Sequence, residues 1–189
     1  MDKIMDKIRN AEVKNLFSSN EKQRGVQKYA EILQSFSKVN VETDREFQKK
    51  FNGFYRVRRN MQWQNVYYGI MEKGKTQPLS FEIVLRELYQ KAGKVEASFA
   101  SKLIHTLNND MPIWDKFVLQ NLEKKIPVCS GEKKIEYSIK IYEEIIAWYK
   151  ESLQTSEIKQ KFLDFNQVFP EYVWFSQTKK LDFLLWQIR

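Results

Sequence analysis

The chain is predicted to be all-α, a single compact multi-helix domain with two candidate lobes, residues 1–130 and 131–189. Three observations predict this. Apolar residues recur three and four apart through nearly the whole sequence, the period of a helix face. Cap and stop residues bracket those runs. No alternation of apolar and polar residues, the pattern of a half-buried strand, lasts beyond a few positions, and no internal repeat is present.

The elements follow in order. Residues 2–17 read as a short amphipathic segment, and 21–36 carry Val26, Tyr29, Ile32, Leu33 and Phe36 on one face. Thr43 with Glu46 has the spacing of a capping box, two reciprocal side chain to backbone bonds, and opens a helix through Phe47, Phe51, Phe54 and Tyr55. Asn60 restarts the chain before 63–71, and Gly74 ends that segment. Pro78 and the cap residue Ser80 open a helix over 81–92, with Ile83, Val84, Leu85 and Leu88 inward and Gly93 as its stop. Ser98 reads as the next N-cap, with Phe99, Leu103 and Leu107 at helical spacing. Asn108, Asn109 and Asp110 followed by Pro112 end that helix, because proline cannot continue it. Asp115 then caps a segment containing Phe117, Val118 and Leu122, closed by Pro127.

The longest helix is predicted over 132–153, where Ile135, Ile139, Tyr142, Ile145, Ile146, Tyr149 and Leu153 form one stripe with Trp148 at its edge. Gly131, Glu132, Lys133 and Lys134 mark the expected hinge between the lobes. A helix over 156–168, a turn at Phe169-Pro170 and a terminal helix with Leu181, Phe183, Leu184, Leu185 and Trp186 complete the chain. Exposing those last side chains would cost about 1.5–3 kcal/mol each, so the terminal helix is expected to dock on the body.

Composition narrows the class of protein. A chain of 189 residues with 42% hydrophobic and 14% aromatic content is not disordered, and it can remove roughly 70% of its unfolded surface from water. Its single cysteine, Cys129, allows no intrachain disulfide and no cysteine-based zinc site, which fits a reducing cytoplasm. It sits in a loop near Lys133, where it reads as a small packed residue or an exposed thiol. The charged opening MDKIMDKIRN has no apolar secretion core, and no run approaches the roughly 18 apolar residues of a spanning helix. Neither secretion nor a membrane partner is expected. With one histidine and scattered acids such as Glu143, Glu144 and Asp164, no metal is predicted. No cofactor is predicted either, since glycine-rich nucleotide loops are absent, as are the Gly-x-Ser-x-Gly elbow and the HExxH helix.

Thirty-two Lys and Arg against twenty-four Asp and Glu give a net charge of +8, which favours polyanions through counterion release and steering. Nucleic acid, DNA in particular, is the predicted partner. The densest basic cluster is Arg56, Arg58 and Arg59, set among Phe51, Phe54, Tyr55, Trp63, Tyr67 and Tyr68. Such interleaving can grip phosphates and stack bases; the same aromatic spacing also suits a helical core. Tyr172, Trp174, Phe175 and Trp186 form a second aromatic concentration, a binding surface or the packing of the last helix.

The most informative stretch is residues 98–118, SFASKLIHTLNNDMPIWDKFV. It sets Lys102 on the first turn of an apolar helix and Asp115, one proline-containing turn later, at the start of the next. Lys102, the apolar helix, and Pro112-Ile113-Trp114-Asp115-Lys116-Phe117-Val118 together resemble the helix-hairpin-helix DNA glycosylase superfamily. The resemblance implies a helical fold, with Lys102 at the place of a nucleophilic amine and Asp115 at that of the active-site aspartate. The family's glycine-rich hairpin turn before the lysine has no counterpart within 97–101, and the Lys102 to Asp115 span is shorter than the family's. The four-cysteine cluster of some members is absent.

A lysine attacks a sugar carbon only when neutral, which demands desolvation or a neighbouring cation, while a carboxylate would stabilise positive charge developing on the sugar. Asp115 can equally serve as a helix cap paired with Lys102 across the corner. His105, one turn beyond Lys102, is a candidate general base or a buried structural residue. Three functions follow as expectations: a DNA-binding protein with or without base excision, using Lys102, Arg56, Arg58 and Arg59 against phosphates; a non-enzymatic protein-interaction or accessory factor; and a hydrolase using Asp115 and His105.

Overall fold

The computed structural model describes residues 2–188 and is helical throughout, with no strand among the described residues. The helices are α1 (Asp2–Asn10), α2 (Val13–Leu16), α3 (Asn20–Phe36), α4 (Arg45–Tyr55), α5 (Met61–Lys73), α6 (Phe81–Ala92), α7 (Ala97–Leu107), α8 (Lys116–Asn121), α9 (Gly131–Ser152), α10 (Ser156–Val168) and α11 (Gln177–Gln187). A 3-10 turn, Pro170–Tyr172, links the last two. No helix is long and apolar enough to cross a membrane among the described residues.

Side-chain caps set most of the starts. Ser19, Asn60, Ser80, Asp115, Thr155 and Ser176 each accept a backbone N–H from the first turn that follows, satisfying donors that a helix start leaves without carbonyl partners. Two predicted starts move. The cap of α4 is Asp44, whose Oδ1 accepts from Phe47 N at 2.8 Å, so Thr43 is not the capping residue. Helix α7 begins at Ala97 behind Glu96, which gives no side-chain cap, and Ser98 lies within its first turn. Lys102 therefore stands on the second turn of α7.

Helix α4 ends in a left-handed residue, Arg56 (φ 55°), with Val57 N bonded back to Asn52 O at 3.0 Å. This six-to-one bond turns the chain sharply and buries Val57. Gly93 (φ 70°) ends α6 in the same left-handed conformation, its own N–H bonded to Tyr89 O at 2.8 Å, so the α6–α7 hairpin turns at 93–96.

Two apolar clusters fill the interior. The larger joins α4 to α9 with Leu181, Leu185 and Ile188 of the C-terminal segment. The smaller gathers Phe17, Tyr29, Phe165, Phe169, Phe175 and Phe183 from α2, α3, α10 and α11 and the linking turns. Each draws on both sides of residue 131, and Gly131 and Glu132 form the first turn of α9 behind Ser130. The terminal helix docks as predicted: Leu181, Phe183, Leu184 and Leu185 are buried. Ile83 differs from expectation, being 47% exposed on the outer face of α6.

Candidate functional site

The site lies where α4, α7, α8 and α11 converge. Asp115 is delivered by the 108–115 turn, which is tied to α7, α9 and α11, the last through Ser176 Oγ to Asn109 O at 2.7 Å and Thr178 Oγ1 to Asp110 O at 3.2 Å. Tyr142 donates its hydroxyl to Pro112 O at 2.8 Å, Trp114 N donates to Ser101 Oγ at 2.9 Å, and that hydroxyl donates to Ser98 O at 3.0 Å. Asp115 Oδ1 accepts the N–H groups of Phe117 and Val118 at 2.8 and 2.9 Å. Its other oxygen, Oδ2, accepts the indole N–H of Trp186.

Lys102 reaches the same place from α7. Its Nζ contacts Tyr55 O at 3.5 Å and sits 5.0 Å from the Phe99 ring centroid and 5.9 Å from that of Tyr55. The two predicted site residues do converge: Lys102 and Asp115 line one small cavity with Phe54, Tyr55, Ile113, Lys179, Asp182, Phe183 and Trp186. Their corner salt bridge does not form, because the ammonium is turned toward the Tyr55 carbonyl and the two rings. The cavity measures about 20 Å³, room for about one water.

Burial sets the electrostatics. It lowers the Lys102 amine from its ordinary range, with Lys179 adding to the effect and Asp115, Asp182 and Glu96 opposing it. Burial also pushes the Asp115 carboxyl up to about 6, helped by Asp182 and resisted by the two cap N–H groups and Lys102. Each shift makes the neutral form cheaper to reach than in water.

Sequence reasoning did not find the second charged pair. Lys179 Nζ meets Asp182 Oδ2 at 2.6 Å, with both side chains almost wholly buried. The ammonium lies 4.4 Å from the ring centroids of Tyr29 and Phe183, so aromatic faces help replace its lost hydration. The hydroxyls of Tyr55 and Tyr149 are buried close by, Tyr149 interacting with Asp182 and Tyr55 with Thr106. The available signal was the lysine and aspartate three apart in an otherwise apolar C-terminal helix, where charged residues demand partners.

His105 takes a different position from the one expected of a general base. Its side chain is fully buried, Nδ1 bonds the carbonyl of Met111 at 2.6 Å and Nε2 bonds the Tyr29 hydroxyl at 2.8 Å. A carbonyl only accepts, so Nδ1 carries the proton and Tyr29 donates to Nε2. Burial and the Lys179 charge hold the ring's pKa down near 3. Neither nitrogen faces the cavity lined by Lys102 and Asp115.

Above that cavity lies an open hollow of about 540 Å³, lined by Lys22, Lys28, Arg56 and Glu21 among others. Phe54, Phe183 and Trp186 line both spaces and form the partition between them. Arg58 and Arg59 point elsewhere, into a hollow of about 440 Å³ beside the start of α5 that also has Lys91 and Lys94. Arg59 is partly committed, pairing with Glu96 at 2.7 Å and lying 5.4 Å from the Phe99 ring centroid. Of the aromatics interleaved with these arginines, Phe51, Tyr55, Trp63, Tyr67 and Tyr68 are core residues. A hollow of about 780 Å³ between α2 and α10 mixes both charges, Glu12 and Asp164 with Lys14 and Lys161.

Among the described residues no group of histidine, cysteine and carboxylate side chains is arranged to hold a metal. Cys129 is half-exposed in the loop before α9. Compared with known proteins, the chain matches no protein family, no curated protein and no solved structure.

Proposed function

We propose that this protein binds DNA and that Lys102 is an amine able to form a covalent imine with an abasic sugar. One observation carries the reading: a desolvated lysine and an elevated aspartate line one cavity directly beneath a basic surface hollow. The hollow supplies Lys22, Lys28 and Arg56 for phosphates, and Arg58, Arg59, Lys91 and Lys94 extend the basic surface on the other side of the 56–60 loop.

In this reading the neutral Lys102 amine attacks the C1′ aldehyde of an opened abasic sugar. The C1′–N bond forms, the carbonyl oxygen leaves as water after taking up two protons, one of them from the amine, and Asp115 stabilises the cationic imine. With an intact nucleotide the same attack would break the glycosidic bond, its electron pair leaving on the base nitrogen. His105 has a structural part only. Closure of the partition means that Trp186, Phe183 or Phe54 must move before a sugar reaches Lys102.

The test is borohydride trapping on a duplex with one abasic site, beside binding to intact duplex across a salt series. A covalent complex that Lys102→Gln abolishes, with affinity falling steeply as salt rises, is expected. Absence of binding to duplex, abasic duplex and single strand at low salt overturns the reading in favour of a protein-interaction role. Binding without trapping removes the chemistry and leaves the DNA contact.

A further inference from the structure

The hollow at the start of α5 contains a buried donor that the fold leaves unused. Trp63 forms part of its lining and is nine-tenths buried, and its indole N–H has no hydrogen-bond partner among the described residues. Tyr67 stacks on the ring at 4.9 Å and Phe99 packs against it at 5.0 Å, so what the indole offers the hollow is its edge. Two more donors stand at the helix start. Asn60 takes the N–H of Trp63 with its side chain and that of Gln64 with its carbonyl, both at 3.0 Å. Those of Met61 and Gln62 keep no acceptor among the described residues, the usual state of a first helical turn. Cations stand around these donors. Arg59 is paired with Glu96 and Lys91 with Glu87, each at 2.7 Å, whereas Arg58 and Lys94 have no ion pair among the described residues. The segment carrying both arginines is held in place. Val57 is buried with its N–H bonded to Asn52 O at 3.0 Å, and Gln64 donates its side-chain amide to Arg59 O at 2.6 Å.

We propose that this hollow seats a terminal phosphate, a monoester whose charge Arg58 and Lys94 neutralise and whose oxygens accept from the Trp63 indole and the N–H groups of Met61 and Gln62. Charge and geometry favour the monoester over the diester of a strand interior. The two unpaired cations match a group that carries about −1.5 to −2 at pH 7, whereas each internal phosphate carries a single charge. A monoester also has three free oxygens where a diester has two. The donors arrive from three directions: the 58–60 segment, the start of α5 with Trp63 beside it, and the end of α6. The positive end of the α5 dipole adds to the attraction. A buried N–H without an acceptor is unfavourable, and an anionic oxygen at the floor of the hollow supplies the acceptor. Two sources carry such a group, the 5′ end of a nucleic-acid strand and a free phosphate compound. The strand end is favoured because Lys22, Lys28 and Arg56, across the 56–60 loop, suit its following phosphates. Capture needs no chemistry at Lys102, and only the strand as carrier rests on the DNA reading.

The test uses the full chain and labelled oligonucleotides that differ only at the 5′ end, with binding followed by fluorescence anisotropy. A 5′-phosphate should bind at least about ten-fold tighter than a 5′-hydroxyl or a 5′-methyl phosphate, whose cap leaves a diester. Arg58→Gln with Lys94→Gln should remove that margin. Trp63→Phe keeps a ring and loses the N–H, and should cut the margin about three-fold. Lys22→Gln with Lys28→Gln, in the other hollow, should weaken all three oligonucleotides alike and leave the ratio unchanged. Three ends bound alike, or a margin that survives in the Arg58 and Lys94 variant, overturns the proposal. Should Trp63→Phe fail to fold, the exposed pair Arg58 and Lys94 decides alone. A second measurement compares the melting temperature with inorganic phosphate, adenosine 5′-monophosphate and adenosine. Stabilisation by the two phosphates, lost in the Arg58 and Lys94 variant, with no oligonucleotide bound supports the seat with a free phosphate compound as its ligand and refutes the DNA reading. Oligonucleotide binding with no preference among ends refutes the seat and leaves the DNA reading standing. Absence of every interaction overturns both.

Discussion

The hydroxyl of Tyr29 on α3 donates to Nε2 of His105 on α7 at 2.8 Å, across seventy-six residues of chain, and so fixes the imidazole as a neutral acceptor in the interior. Tyr29→Phe leaves that nitrogen buried and unpaired and should cost about 1–3 kcal/mol in urea unfolding at pH 7. Unchanged stability would mean that the bond contributes nothing.

The pH dependence of stability should contain two opposed parts. His105 titrates at 6.5 when unperturbed and near 3 in the fold, so the unfolded chain binds its proton first. Its contribution is whole above pH 6.5 and declines as pH falls, by about 1.4 kcal/mol per unit. Asp115 runs the other way, from an ordinary 3.8 to about 6 in the fold, contributing stability at low pH that is lost as pH rises through that window. His105→Gln should therefore make the protein relatively more stable on acidification from pH 6 to 4, and Asp115→Asn relatively less stable. Urea titrations at pH 4, 5, 6 and 7 compare the slopes, and slopes identical to wild type would refute both assignments.

Lys179 and Asp182 form a buried pair at 2.6 Å, and removing one member strands the other. Lys179→Met should destabilise by about 3–5 kcal/mol, whereas Lys179→Met with Asp182→Leu should recover most of it, because apolar replacement of a buried pair is often neutral. A double-mutant cycle by chemical unfolding measures the coupling. A double variant as unstable as the sum of the singles would deny it.

Arg56 holds a left-handed backbone that costs a side-chain-bearing residue about 1–2 kcal/mol. Arg56→Gly relieves this while adding unfolded-state freedom worth about 0.4–1 kcal/mol. A net gain of up to about 1 kcal/mol is expected, and none for Arg56→Ala, which keeps the strain. The same Arg56→Gly protein should lose about one unit from the slope of log affinity against log salt for duplex DNA. Stability and affinity moving together in one direction would contradict this division.

Gly74 caps α5 where a Cβ would run into the methyl groups of Leu107 and Leu79. The atoms in the way are the ends of flexible, partly buried side chains, so Gly74→Ala should cost no more than about 1 kcal/mol, seen as a slightly lowered urea midpoint. Gly74→Ala with Leu107→Ala should restore part of the loss.

Much of the fold was legible because helix periodicity and caps are local. Ser80, Phe81 to Ala92 and Gly93 appear where the pattern puts them, as do Asn60 and the stripe of α9. The misplaced starts are also local in cause. Asp44 and Thr43 are both competent caps one residue apart, and Ser98 lost to the geometry of the preceding turn, where Gly93 bends the chain early. Ile83 faces outward because α6 turns that side away from its neighbours, which no spacing within the helix reveals.

The sequence by itself determined an all-helical chain, its basic balance and the placing of Lys102 and Asp115 on either side of one proline-containing turn, since each depends on residues close in the chain or on composition alone. Only the tertiary structure decided that Trp186 closes over Asp115, that Lys179 and Asp182 lie buried beside them, and that His105 is spent on Tyr29 and Met111. The reason is that solvation and contact with distant segments set a side chain's charge state and freedom. Those segments meet only when the last helix folds back onto the body.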